Sequence, residues 1–470
     1  MEESKKLLMS GKTFEALERL KKILPEFEGT SDEWKIHELI GAAFHDLGDA
    51  EGAAQAYFNA AKTAKYLVTQ RSHYSNYLFA LHYLNDLDRE VLAQEHFFYN
   101  NLFRDVKKFS DYPMPKNKIS IGYISPYFVD SSAARFYESL LTDYDHENFI
   151  VKCFSLSNEQ DHFTEKIKSN VDKFITLENI SIEDAAQKIF NEGVDILFDL
   201  GGHTDAGMTL QIMSYKPAKI QISGIGYFDT TGLKMIDYFL TDSYLSPIGA
   251  EKFFSEKLLR LSSNFAFTPS TAMKNNYPLP ITNYPLTFAC FNNFMKINDR
   301  YLKLVKKILH QVDNSKIIFQ DTTAIKARQI ELQRRIKSLK LPIDRVEIRC
   351  GNDNYLNDYS EADIILDTFP YNGGTMTATA LYMNIPVISL YGNNHYSRFG
   401  ADILRLADLT ELIADSEKNF VEIAVDLARD KDRLIELKKS LRDRLQRSKL
   451  LDTKNFVSEM EFNYKRMVNK

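Results

Sequence analysis

From Ile119 onward the sequence repeats one pattern: a short run that is apolar at nearly every position, an amphipathic segment, then another apolar run. ISIGYIS, FIVKCFSLS, VDILFDLGG, KIQISGIGY and MIDYFLTD are such runs. A strand with one face in water alternates apolar and polar residues. A strand apolar on both faces belongs in a parallel sheet covered by helices on each side. Segments such as SIEDAAQKIFNEG supply those helices and make βαβ units. A breaker-rich stretch follows, PSTAMKNNYPLPITNYP (Pro269 to Pro285). The alternation then restarts with LTFACFNN, KIIFQD, RVEIRC, ADIILDTF and PVISLY, and the chain closes in helix. The pattern predicts an α/β protein with two Rossmann-like lobes, residues 116–270 and 280–470, the second carrying the C-terminal helices. Two such lobes predict a cleft, with ligands outside the carboxyl ends of the strands.

The residues before this alternation, 1–112, have helical periodicity only. LLMSGKTFEALERLKKIL and AAFHDLGDAEGAAQAYFNAA share one register: an apolar helix, a Gly (Gly11, Gly48), a small Ala five positions later (Ala16, Ala53), and a second amphipathic helix. The two glycines are 37 residues apart, close to the tetratricopeptide period of about 34. SNYLFALHYLNDLDREVLAQEHFFYNNLF reads as a third, divergent pair, and DYPMPKNK (Asp111 to Lys118) as a linker. A generic helical bundle is the other reading, against which the matched registers weigh.

Composition excludes several classes. The net charge of −5 gives no global field that would favour nucleic acid or an anionic membrane as a partner. Cys153, Cys290 and Cys350 are too far apart in sequence for a zinc or disulfide framework. The N-terminus MEESKKLLMSGKTFEALERL lacks the apolar stretch of a signal peptide, and no window approaches a membrane span of about 18 apolar residues. A cytoplasmic location is expected.

Candidate chemistry lies at four strand ends. In ADIILDTFPYNGGTMTATALY, a buried strand ends at Asp367 and Asn372-Gly373-Gly374-Thr375 opens a helix. Unpaired N–H groups and the dipole at such a start attract phosphate, although an ordinary capped loop has the same look. In LTFACFNNFMKIND, Asn292, Asn293 and Lys296 follow a strand. A lysine there can neutralise a departing diphosphate, or be an ordinary solvated lysine. In FDLGGHTDAG, His203 follows two glycines and is either a proton carrier or a satisfied structural histidine. In SGIGYFDTTG, Gly226 permits close approach and Thr230 and Thr231 supply hydroxyls.

These strings, in this order and over nearly the whole chain, resemble the protein O-GlcNAc transferase family, bacterial members included. ISIGYISPYF, GGHTDAG, KIQISGIGYFDTTG, MIDYFLTD, FSEKLLRL, NNFMKI, DIILDTFPYNGGT and HYSR carry the resemblance. It implies a GT-B fold of two Rossmann-like lobes behind tetratricopeptide-like repeats. It also implies metal-independent, inverting transfer from a UDP-sugar, with no cofactor. The family's essential lysine falls on Lys296, and its preceding amide, often Gln, on Asn293. The phosphate-binding segment, which starts at Asn372 and Gly373, continues through Gly374, Thr375 and Met376. The ribose-binding acid falls on Thr379 and the uracil-stacking histidine on Tyr355. The pair near the sugar falls on Ile225 and Gly226, and the bacterial histidine on His203. Ser131 stands where many relatives have a first-lobe histidine.

The implied reaction moves GlcNAc from UDP-GlcNAc to Ser or Thr hydroxyls of an acceptor protein held by the repeats, flagellin or another bacterial surface protein being the candidate. UDP-glucose is the alternative donor. A non-catalytic scaffold with a degenerate nucleotide-sugar site is the reading from another class.

Overall fold

The computed structural model describes residues 1–85, 87–113, 117–274, 285–351 and 355–469. The expected lobe boundaries at residues 116 and 280 lie outside the described residues. Contacts divide the chain into two compact units: Met1–Thr63, Ala80–Asp86 and Pro269–Ser448 form one, and Ala64–Phe79, Leu87–Thr268 and Lys449–Lys470 the other.

The second of these units contains strands β1 (Ile119–Ser125), β2 (Phe149–Ser155), β3 (Lys173–Thr176), β4 (Ile196–Asp199), β5 (Ile220–Ser223), β6 (Tyr238–Asp242) and β7 (Lys257–Leu261). They form one sheet in the order β3-β2-β1-β4-β5-β6-β7, every pair parallel. The other unit has β8 (Leu286–Cys290), β9 (Ser315–Gln320), β10 (Val346–Arg349), β11 (Ile364–Leu366), β12 (Val387–Leu390) and β13 (Ile413–Ala414). Their order is β10-β9-β8-β11-β12-β13, again all parallel. Strands β4, β8 and β11 are buried at every position, as their largely apolar runs require.

The two sheets share a device. At the end of β4, the Asp199 carboxylate accepts from the N–H groups of Gly201 and Gly202, each at 2.9 Å, and from Ser223 Oγ on the next strand at 2.7 Å. Just after β11, Asp367 accepts from Gly373 N–H at 2.7 Å and from Ser389 Oγ on the next strand at 2.7 Å. In each case one buried carboxylate ties a glycine loop to a neighbouring strand end.

The helical registers seen in sequence are real turns. Gly11 (φ 73°) and Gly48 (φ 76°) both adopt the left-handed conformation. At each turn the following N–H returns to a carbonyl five residues back, Lys12 to Leu7 and Asp49 to Phe44, both at 2.9 Å. Ala16 and Ala53 are fully buried in the helices Thr13–Phe27 and Ala50–Thr63.

Two boundaries differ from expectation. The first two helix pairs belong to the unit of the second sheet, whereas residues 64–79 and the helix Arg89–Tyr99 of the third pair belong to the unit of the first. The last helix, Thr453–Val468, also leaves the C-terminal lobe: Phe456, Val457, Met460 and Tyr464 join the core around Ile121, Phe149 and Phe198, and Tyr464 hydrogen-bonds Tyr123 at 3.0 Å. An amphipathic helix records its own apolar stripe but not the sheet that covers it. Among the described residues no helix is long and apolar enough to cross a membrane.

Candidate functional site

The residues singled out after β8 and β11 come together within one unit. Asn293 Oδ1 accepts from Met295 N–H at 2.9 Å and so starts the tight turn Phe294–Lys296. The turn brings the Lys296 ammonium to the Asn372 carbonyl at 2.9 Å and over the Tyr371 ring, 3.7 Å from its centroid. Burial pushes the Lys296 pKa down to about 8, against the opposing pull of Asp367.

Asp367 organises the facing loop. Besides Gly373 and Ser389, it accepts from Thr368 N–H at 2.9 Å and Asn292 Nδ2 at 3.2 Å. Burial nevertheless raises its carboxyl pKa to about 6. A Cβ on Gly373 would lie 2.8 Å from Thr377 Oγ1 and 3.0 Å from Asp367 Oδ1; only glycine fits beside that carboxylate.

The helix Thr375–Tyr382 begins beyond Gly374, which has no side chain to cap its first turn. The N–H groups and dipole at such a helix start attract anions. The buried Asn372 side chain donates to the Thr368 carbonyl at 2.8 Å, which fixes the loop before the helix. Thr375 is buried, and Met376 keeps partial exposure with its sulfur 3.6 Å from Tyr359 Oη. Thr379 is fully buried, and among the described residues its hydroxyl has no hydrogen-bond partner. Tyr355 opens the short helix Tyr355–Asp358 and is partly exposed.

The remaining candidates belong to the other unit. Ile225 stands in the left-handed region at φ 65°, an outlier for a β-branched residue. A Cβ on Gly226 would fall 1.7 Å from the Leu200 carbonyl oxygen. The pair is thus pressed against the end of the neighbouring strand.

His203 is fully buried. Its Nε2 lies 3.0 Å from the Thr231 carbonyl, which can only accept, so Nε2 carries the proton and Nδ1, 2.7 Å from Ser75 Oγ, accepts. In this arrangement the ring ties the helical segment to the loop after β5, and it presents no lone pair for a substrate proton. The Thr230 and Thr231 hydroxyls are likewise taken by the buried Glu256 carboxylate.

Sequence reasoning missed three residues around the site. Asp367 closes a strand in sequence, but its bonds to Gly373 and Ser389 appear only in the fold. Tyr371 packs against Tyr83 of the helical segment, ring centroids 5.2 Å apart. Arg328, nearly solvent-free, pairs with Asp321 at 3.6 Å. No local pattern marks Tyr371 or Arg328, whose contacts with Tyr83, His45 and Asn293 join segments far apart in sequence. Among the described residues no cluster of His, Cys, Asp or Glu could hold a metal ion.

The chain is similar to known proteins in sequence and in fold. The family model described as glycosyl transferase family 41 matches residues 99–274 and 268–460. A probable UDP-N-acetylglucosamine–peptide N-acetylglucosaminyltransferase SPINDLY of Petunia hybrida is 31% identical over 406 residues, covering 83% of this chain and 44% of that protein. The SPINDLY protein of Eustoma exaltatum subsp. russellianum is 34% identical over 407 residues, with the same coverage. The chain thus spans less than half the length of these relatives. Among solved structures, a variant of the Thermobaculum terrenum O-GlcNAc transferase superposes with a TM-score of 0.86 at 25% identity, covering 98% of this chain and 89% of that one. The expected fold class, GT-B with two Rossmann-like lobes and an N-terminal helical region, is the observed one.

Proposed function

Because the chain belongs to glycosyl transferase family 41, we propose that it transfers a sugar from a UDP-sugar to Ser or Thr hydroxyls of an acceptor protein, with UDP-GlcNAc as the donor. The observation that carries this reading is the meeting of the Lys296 ammonium with the Asn372 carbonyl at 2.9 Å. It sets a positive charge beside the loop that leads into the N-terminus of the helix Thr375–Tyr382.

The acceptor oxygen attacks the anomeric carbon. Its new C–O bond forms as the bond from that carbon to the β-phosphate oxygen breaks, and the electron pair leaves with UDP. The hydroxyl proton passes to a donor phosphate oxygen or to water. Attack opposite the leaving group inverts the anomeric centre. Negative charge grows on the diphosphate, where Lys296 and the first-turn N–H groups are already oriented; such preorganised stabilisation can supply about 2.7–4 kcal/mol per contact. Asn293 and Tyr355 serve the nucleotide, Ile225 and Gly226 the sugar, and the helical repeats select the acceptor.

Intact-mass measurement of candidate acceptor proteins, flagellin among them, co-expressed with this chain tests the proposal. An increment of one N-acetylhexosamine supports it. A hexose increment moves the donor to UDP-glucose. No increment, with no UDP released from any of a panel of nucleotide sugars, leaves only a binding protein.

A further inference from the structure

Arg328 sits where the helical repeats, the helix Lys326–Ser338 and the turn carrying Lys296 meet, all within one unit. Its neighbour Ala327 belongs to the core of the first two helix pairs, with Leu20, Ile36, Ile40 and Ala43. The guanidinium is therefore delivered into the base of that packing. Nη2 donates to the His45 carbonyl at 3.0 Å, in the last turn of the helix Glu33–Leu47. Nη1 donates to Asn293 Oδ1 at 2.8 Å. Asp321, at 3.6 Å, balances the charge.

The contact with Asn293 has a chemical consequence. Asn293 Oδ1 also accepts from Met295 N–H at 2.9 Å. Both partners are obligate donors, so the oxygen must face them and the amide cannot be flipped. The NH₂ end is thereby directed away from the protein contacts that hold the oxygen. Met295 N–H and Arg328 Nη1 thus hold the oxygen from two directions, while Nη2 ties the guanidinium to the His45 carbonyl.

We propose that Arg328 is a positioning residue for the nucleotide-sugar: anchored on the His45 carbonyl of the helical repeats, it holds the Asn293 amide so that Nδ2 donates to an acceptor oxygen of the bound nucleotide. This rests on the donor reading above for the ligand, but not for the orientation of the amide. Arginine is required because its planar fork reaches two acceptors at once, whereas a lysine ammonium of the same charge cannot span them. The repeats are then part of the donor site as well as of acceptor selection.

The test uses the full chain and three variants, Arg328→Lys, Asn293→Ala and the double substitution. A crystal structure of Arg328→Lys without nucleotide is expected to show the Asn293 side chain in a different rotamer; an unchanged Asn293 overturns the proposal. Calorimetric titration with UDP and UDP-GlcNAc is expected to give roughly ten-fold or greater weakening in each single variant, no further loss in the double, and a raised donor KM with kcat largely retained. Additive losses, or a fall in kcat alone, overturn it. If the wild-type chain binds neither ligand, the nucleotide half falls with the donor reading, and the rotamer result separately decides whether Arg328 orients the amide.

Discussion

The ammonium of Lys296 lies 3.7 Å from the centroid of the Tyr371 ring. The aromatic face and the Asn372 carbonyl beyond it hold the charge in place without neutralising it. Tyr371 in turn leans on Tyr83 from the helical segment. The ring face and the carbonyl thus direct the ammonium, as a preorganised electrostatic contact demands.

Replacing Lys296 with Ala removes that contact. Transfer is expected to fall by about a hundredfold or more in kcat, while the melting temperature moves little, since among the described residues the side chain forms no ion pair. Steady-state rates together with a thermal melt check both halves. Near-wild-type turnover sinks the assignment.

The lowered pKa of Lys296, about 8, predicts a pH limb. Its charged form declines as pH rises through that value, so kcat/KM for the donor, which reports the free enzyme, should fall about tenfold per pH unit above 8. A bound diphosphate favours the ammonium, so kcat should hold to higher pH. In Lys296→Arg, whose guanidinium does not titrate in this range, the limb should vanish from whatever activity remains. A limb that persists there belongs to another group.

Asp367 predicts a signed effect on stability. Burial raises its carboxyl from an ordinary 3.8 to about 6, so between those values the folded chain binds more protons than the unfolded one. This contribution favours the fold below pH 4 and is lost as pH rises through 6, a cost on the order of 3 kcal/mol. Asp367→Asn cannot ionise and should lack it. Relative to that variant, the wild type should lose stability from pH 4 to pH 7 in urea unfolding; a constant difference contradicts the reading.

His203→Ala should behave as a structural lesion. It leaves the Ser75 hydroxyl and the Thr231 carbonyl without their partner, at about 1–3 kcal/mol for each buried group left unsatisfied. The shape of the pH–rate profile should be unchanged. Loss of one limb of that profile would instead make His203 the general base.

Gly226→Ala places a methyl group 1.7 Å from the Leu200 carbonyl oxygen, a backbone atom that cannot swing aside. Destabilisation of about 3 kcal/mol or more is expected, measured as a lowered urea midpoint or as insoluble expression. A variant of normal stability means that the loop after β5 is not packed as described.

Much of this protein is written locally. Strands β4, β8 and β11 are legible because a run apolar at nearly every position demands burial on both faces. The turns at Gly11 and Gly48 are legible because a left-handed helix end calls for glycine. The stations of Lys296 and of the segment Gly373 to Thr375 follow from their positions after strands. What tertiary structure alone decided depends on which distant segments touch. Arg328 meets His45 and Asn293, Tyr83 meets Tyr371, and the last helix covers the first sheet. Each pairing joins residues separated by long stretches of chain, and a side chain's neighbours across such a distance leave no periodic trace in its own sequence. His203 shows the same limit: its place beside two glycines could be read from the chain, but the two acceptor and donor groups that consume its ring nitrogens come from Ser75 and Thr231, and only the folded chain brings them there.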